Sequence, residues 1–192
     1  LFGQPAPMDE VMQISHEHGL RVIEDCAQAS GARYKGHLVG TRGDCGVFSF
    51  QESKNMMTGE GGMLITNDEE VAEIARLIRN HGEAIAHELP RRTYTSKILG
   101  YNYRMTEFEA AIGRVQLRHL DERNAVRQKL ANYLTEHLSG IPAIIPPKAR
   151  DACTHVYYVY PFLYNEDQTG IPRDLFAQAV QREGIPVGIG YV

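Results

Sequence analysis

Two kinds of apolar pattern alternate through the first 82 residues, and that alternation constrains the fold more than any other feature. The stretch "MDEVMQISHEHG" (8–19) spaces Met8, Val11, Met12 and Ile14 as a helix does, with Gly19 as a natural stop. "LRVIEDC" (20–26) then reads as a short buried strand, and "CGVFSF" (45–50) and "GGMLITN" (61–67) read as two more. In "EEVAEIARLIRNHG" (69–82), Val71, Ile74, Ala75, Leu77 and Ile78 share one helical face and Gly82 ends the run. Helices alternating with apolar strands predict a mostly parallel sheet in an α/β layer fold.

The second half has a different texture. Residues 83–105 are polar and irregular, with Pro90 and the pair Arg91–Arg92, whose charges are expected to be solvated, and they close on "LGYNYRM". Thr106 is a plausible N-cap with Glu109 completing a capping box. The helix it opens has an apolar face of Phe108, Ala111, Ile112, Val115 and Leu117, and its pattern runs to about Leu138. "SGIPAIIPP" (139–147) is a Pro/Gly-rich junction. "HVYYVYPFLY" (155–164) alternates like a strand, "RDLFAQAVQREG" (173–184) reads as a helix, and "IPVGIGYV" (185–192) as the start of another strand. The expected organisation is part of a large α/β domain over 1–105, a long linking helix over 106–138, and the start of a small α+β domain over 139–192. The chain opens without Met and stops inside an apolar run, as a piece of a longer protein would.

Composition removes several classes of function. A net charge of −4 and a pI near 6.1 leave no basic footprint for nucleic acid. No apolar run approaches the roughly 18 residues of a membrane-spanning helix, and residues 1–20 carry neither the basic start nor the apolar middle of a secretory signal. Cys26, Cys45 and Cys153 are scattered and form no CxxC pair, which predicts reduced thiols and a cytoplasmic protein. His16 and His18 lie two apart and so point to different faces of their helix, favouring a solvated helix end over a metal site.

The chemistry-bearing candidates cluster near strand ends. Asp25 closes "RVIED", and in open α/β sheets the ligand crevice lies beyond the carboxyl ends of the strands. A carboxylate there either holds a fixed charge against a cationic ring nitrogen or caps the next turn. Lys54 follows the strand "GVFSF", within reach of the same crevice. A lysine beside a low-dielectric pocket has its pKa pushed down, and the neutral amine is the form that attacks a carbonyl. The bland reading is a surface lysine next to a turn between strands. Ser49 could offer a hydroxyl to a phosphate, and Gly59, Gly61 and Gly62 allow tight turning near a bulky ligand. The stretch is not a Walker A loop, because no GK[ST] follows the glycines and the lysine precedes them.

Taken together, "VIEDCAQASGARYKGHLVGTRGDCGVFSFQESKNMMTGEGGMLITND" resembles the DegT/DnrJ/StrS-type sugar aminotransferases of the aspartate aminotransferase superfamily. The shared pattern is a strand ending in Glu-Asp, then Ala-Gln-Ala, glycines around an Asp, Ser-Phe, Lys, and Gly-Glu-Gly-Gly. "RNHG" (79–82) and "LGYNYRMTEFEAAIGRVQL" (99–117) resemble two further blocks in the same order. The resemblance implies a PLP-transferase of fold type I, of which this chain is a central portion, with pyridoxal 5′-phosphate (PLP) as cofactor. By position, Lys54 matches the lysine that forms a Schiff base with PLP, and Asp25 matches the carboxylate paired with the pyridinium nitrogen. Gln28 matches the residue near the ring and its 3-hydroxyl, and Ser49 a phosphate ligand. Asn102 matches an asparagine that reaches a phosphate in the neighbouring subunit's site, implying a homodimer with shared active sites. The form "SFQ.SK" looks closest to members acting on cyclitols and related keto rings.

The activity so implied moves an amino group from glutamate or glutamine to a keto sugar, often nucleotide-linked, or to a keto cyclitol. Sugar dehydratases of the superfamily carry histidine where Lys54 stands, and a non-catalytic PLP-binding regulatory protein is the remaining alternative. The portion of the family's pattern present here is expected to be inactive and poorly stable alone, because several strands lack partners. Arg104 could meet an anionic substrate group or make a structural ion pair. His155, Tyr157, Tyr158 and Tyr160 are expected to build a sheet face, and Cys26 to be a small buried filler.

Overall fold

The computed structural model describes residues 1–83 and 95–190. Pro90, Arg91 and Arg92 lie outside the described residues, as does the end of the expected strand over 185–192.

Helix α1 spans Met8–His18 and ends on Gly19, whose φ of 63° lets its N–H reach the Ser15 carbonyl. The chain then enters β1 (Ile23–Asp25), passes the short hairpin of β2 (Arg33–Tyr34) and β3 (His37–Leu38), and forms β4 (Cys45–Ser49) and β5 (Gly62–Thr66). β4 is central in a sheet of order β1-β4-β5. It runs parallel to β1, with Asp25 opposite Val47, and antiparallel to β5, with Ser49 opposite Gly62. The sheet is thus partly parallel, because no helix crosses between β4 and β5 and the chain returns beside its own strand. Helix α2 (Glu69–Arg79) is capped by Asp68, whose carboxylate accepts from the N–H groups of Glu70 and Val71.

The strand β1 inverts the burial that its apolar run suggests. Ile23 is exposed, whereas Glu24 is buried. Period-two alternation turns Glu24 inward, where its carboxylate accepts from the backbone N–H groups of Gly40, Arg42 and Gly43 at 2.6–2.7 Å. A buried carboxylate with three charge-assisted donors is satisfied. Glu24 therefore pins the 40–43 loop beneath β1 and leaves Asp25 to face outward.

The expected long helix is two helices, α3 (Glu107–Arg118) and α4 (Leu120–Leu138). The break is at His119, where ψ rises to 2° and the N–H turns to the Gln116 and Leu117 carbonyls. The capping box of Thr106 and Glu109 is present in full. The face of α3 that packs inward is centred on Gly113, while Phe108, Ala111, Ile112, Val115 and Leu117 are exposed. Close approach explains this choice: a Cβ on Gly113 would lie 3.1 Å from the Thr58 methyl carbon.

Residues 155–162 do not form the expected strand. β7 is Cys153–Thr154, and β8 is Leu163–Tyr164, which pairs with β6 (Ile144–Ile145). Between them Tyr157 has φ of 45°, which breaks strand geometry, and the N–H groups of Val156 and Tyr158 bond to the carbonyls of Gly3 and Phe2. β7 pairs antiparallel with β2, so this segment packs against the first hundred residues. Helix α5 is Arg173–Arg182, and residues 185–190 form no strand. The core has two parts joined by Phe48: Cys26, Ala29, Ala32, Val39 and Val156 on one side, Phe50, Met56 and Leu120 on the other.

Candidate active site

Three of the five residues singled out from the sequence meet in one place. Asp25, Gln28 and Lys54 line a cleft of about 410 Å³ walled by Pro5, Met8, Val11 and Val39. The size suits a small cofactor. Its floor is the carboxyl end of β1, where α/β sheets of this kind hold ligands.

Asp25 is exposed, and its Oδ1 accepts the Ala27 N–H at 3.0 Å, so the carboxylate also caps the turn that follows. That turn presents Gln28, whose Oε1 accepts the Phe2 N–H at 2.6 Å. Lys54 is half-buried in the loop between β4 and β5. The loop is closed by Thr58 N–H bonding to the Phe50 carbonyl and Phe50 N–H bonding to the Gly61 carbonyl, each at 2.9 Å. Gly59 and Gly61 have φ of 92° and 140°, values that other residues rarely adopt, so the glycines after the lysine let the loop close. The Lys54 ammonium lies 4.4 Å from the centroid of the Tyr158 ring, in cation–π range. The Tyr158 hydroxyl is 2.7 Å from Ser53 Oγ, which ties the ring to the lysine loop.

Ser49 and Asn102 stand apart from the cleft. Ser49 ends β4, and its Oγ accepts the Gln51 N–H at 3.3 Å. Asn102 is exposed beside Asn80, in a two-residue bridge after α2. Arg104 donates to the Asn80 carboxamide oxygen at 2.9 Å, a neutral partner in place of the carboxylate of an ion pair. His16 and His18 are exposed, and no metal-binding cluster exists among the described residues. Cys26 is buried beside Glu24 and Asp25; burial first, then those carboxylates, push its thiol up to about 12, so it is a packing residue and no nucleophile.

Sequence reasoning missed the particular role of Tyr158, which was one tyrosine in an alternating run. His155, expected on a sheet face, lies in no strand; it is buried and stacks on Tyr157 with ring centroids 4.0 Å apart. The His155 Nδ1 accepts the Tyr157 N–H at 2.9 Å, so the ring must be neutral there. Burial lowers its pKa from 6.5 to about 4. A histidine whose folded-state pKa is depressed stabilises the fold fully above 6.5 and progressively less as pH falls toward 4. The shift corresponds to at most about 3 kcal/mol. Denaturant midpoints measured from pH 7 to pH 4 are expected to fall, and His155→Gln should flatten that slope. An unchanged slope in the variant would remove His155 as its source.

The sequence profile of the DegT/DnrJ/EryC1/StrS aminotransferase family matches residues 1–192. The chain belongs to this family. The family's cofactor is PLP, and the fold is the fold type I α/β architecture of PLP-dependent aminotransferases. A UDP-N-acetyl-3-dehydro-alpha-D-glucosamine 3-aminotransferase from Acidithiobacillus ferrooxidans is 40% identical over 192 residues, covering 100% of this chain and 48% of that protein. A Geobacillus stearothermophilus protein called a pleiotropic regulatory protein is 42% identical over 163 residues, 83% of this chain and 42% of that protein. The crystal structure of S. venezuelae DesV in complex with a ketimine intermediate superposes with a TM-score of 0.85 at 34% identity, covering 97% of this chain and 47% of DesV. The chain thus spans about half the length of the relatives it matches. The donor set in the cleft, an amine, a carboxylate and a carboxamide, fits PLP chemically.

Proposed function

We propose that the complete protein carrying this chain is a PLP-dependent aminotransferase that moves an amino group from glutamate or glutamine to a keto sugar or keto cyclitol. The observation that carries this reading is the convergence of Lys54, Asp25 and Gln28 on one cleft at the end of β1. The sugar class rests on relatives named for nucleotide-linked sugars, such as the Acidithiobacillus enzyme. PLP, when bound, supplies an electron sink for the carbanion formed at the substrate carbon.

Each residue then has a distinct task. Lys54 would hold the cofactor through its Nζ, and its free amine would serve to move a proton at the substrate carbon. Asp25 keeps the ring nitrogen protonated through opposite charge. Gln28 sits at the ring edge beside the 3-hydroxyl. Ser49, at the end of β4 and outside the lining of the cleft, would hold the phosphate, and Asn102 would reach the phosphate of a second copy in a homodimer with shared sites. The exposed apolar face of α3, with Phe108 85% exposed, supports such a covering partner. In this reading residues 1–105 belong to the large domain, 106–138 link, and 139–192 begin the small domain. Unpaired Cys26, Cys45 and Cys153, and the lack among the described residues of a helix able to cross a membrane, accord with a cytoplasmic enzyme.

The test uses the complete protein loaded with PLP. Borohydride reduction followed by peptide mapping is expected to find the cofactor on Lys54. In a separate, unreduced sample, glutamate or glutamine should convert the enzyme to its aminated form, and a panel of nucleotide-linked keto sugars and keto cyclitols should discharge it. Cofactor attached elsewhere would refute the role of Lys54. PLP bound at Lys54 without turnover of any acceptor would favour the regulatory reading, which the name of the Geobacillus relative keeps open. Loss of a substrate hydroxyl without amine transfer would favour a dehydratase.

A further inference from the structure

The residue after the lysine is a buried amide. Asn55 is buried, and its Nδ2 donates to Asn124 Oδ1 and to the Val156 carbonyl, both at 2.9 Å. Asn124, also buried, sits on α4 and donates from its own Nδ2 to the Ser30 carbonyl at 2.9 Å. Asn55 Oδ1 is buried with no hydrogen-bond partner among the described residues, so two donor bonds alone set the orientation of this amide. The backbone beside it leaves no slack: a Cβ on Gly31 would lie 2.8 Å from Asn124 Nδ2.

Four segments meet at this pair of amides: the Lys54 loop, α4, the stretch just after Gln28, and the stretch that carries Tyr158 over Lys54. These are the parts whose relative placement decides where the lysine amine points. A core that needed only packing would be as well served by leucine, since buried amides are stabilising only when paired. We propose that Asn55, acting through Asn124 and Val156, is a positioning residue that fixes Lys54 for covalent capture of the cofactor. The inference rests on the role assigned to Lys54 above. In that capture the Nζ amine condenses with the PLP aldehyde and one water leaves.

Pyridoxamine 5′-phosphate separates positioning from mere folding. It carries an amine in place of the aldehyde, so it fills the same cleft without bonding to lysine. In the complete protein, Asn55→Ala is expected to weaken PLP binding at least tenfold while changing pyridoxamine 5′-phosphate binding less than twofold. Asn55→Asp, which keeps the shape but loses both donors, should behave like the alanine variant. Asn124→Ala, remote in sequence from the lysine, should show the same selective loss, and the double variant should lose less than the two single losses combined. Equal loss of both ligands would reduce Asn55 to a structural residue, and unchanged PLP binding would overturn the proposal outright. Lys54→Ala in parallel should abolish the preference for PLP. If that preference survived Lys54→Ala, the assignment of Lys54 would fail and this inference with it, a result distinct from either Asn55 outcome.

Discussion

Replacing Lys54 by alanine is expected to lower transamination by the complete protein about 10²- to 10⁴-fold, the scale of a lost positioned proton carrier. The cleft should still admit PLP, because most of its lining comes from α1 and the residues before it, β1 and the turn after it, with Lys54 on one side only. The two halves of the loss can be told apart. In a single-turnover experiment with glutamate, added methylamine should restore part of the proton transfer in Lys54→Ala, since a small free amine can occupy the vacated space. Lys54→Arg should not be rescued and should be as inactive, because a guanidinium stays charged and neither condenses with an aldehyde nor accepts a proton near neutral pH. Retention of turnover within tenfold in Lys54→Ala would sink the assignment.

The features that the sequence makes legible have local signals. Gly19 marks a helix end by its own backbone chemistry, and the Thr106–Glu109 box needs only four residues. Lys54 and its glycines lie within one loop. What could not be read depends on distant partners. The run 155–162 alternates as a strand does, yet its N–H groups find Phe2 and Gly3 more than 150 residues away in sequence. The apolar face of α3 was read correctly as apolar, but its burial depends on what covers it, and within this chain Gly113 offers the closer fit. Asn55 and Asn124 are 69 positions apart, and no spacing rule connects them. Adjacent Glu24 and Asp25 look alike as letters. Strand alternation sends one to three backbone amides and the other to the cleft.

Asp25→Asn separates the two readings of that second carboxylate. Asparagine keeps an Oδ1 in the position that accepts the Ala27 N–H at 3.0 Å, so the turn and the fold should be unaffected. What is lost is the negative charge. A ring nitrogen no longer facing a carboxylate is less readily protonated and drains electrons from the substrate carbon less well. Turnover is therefore expected to fall about 100-fold or more, about 2.7 kcal/mol in transition-state stabilisation. The melting temperature and the lysine-bound fraction of PLP should stay close to those of the parent. Asp25→Ala adds the loss of the cap and should further cost about 1 kcal/mol of stability. If Asp25→Asn turned over at half the parental rate or better, Asp25 would be the strand-end cap of the alternative reading, and the protonation of the ring would have to come from elsewhere in the assembled site.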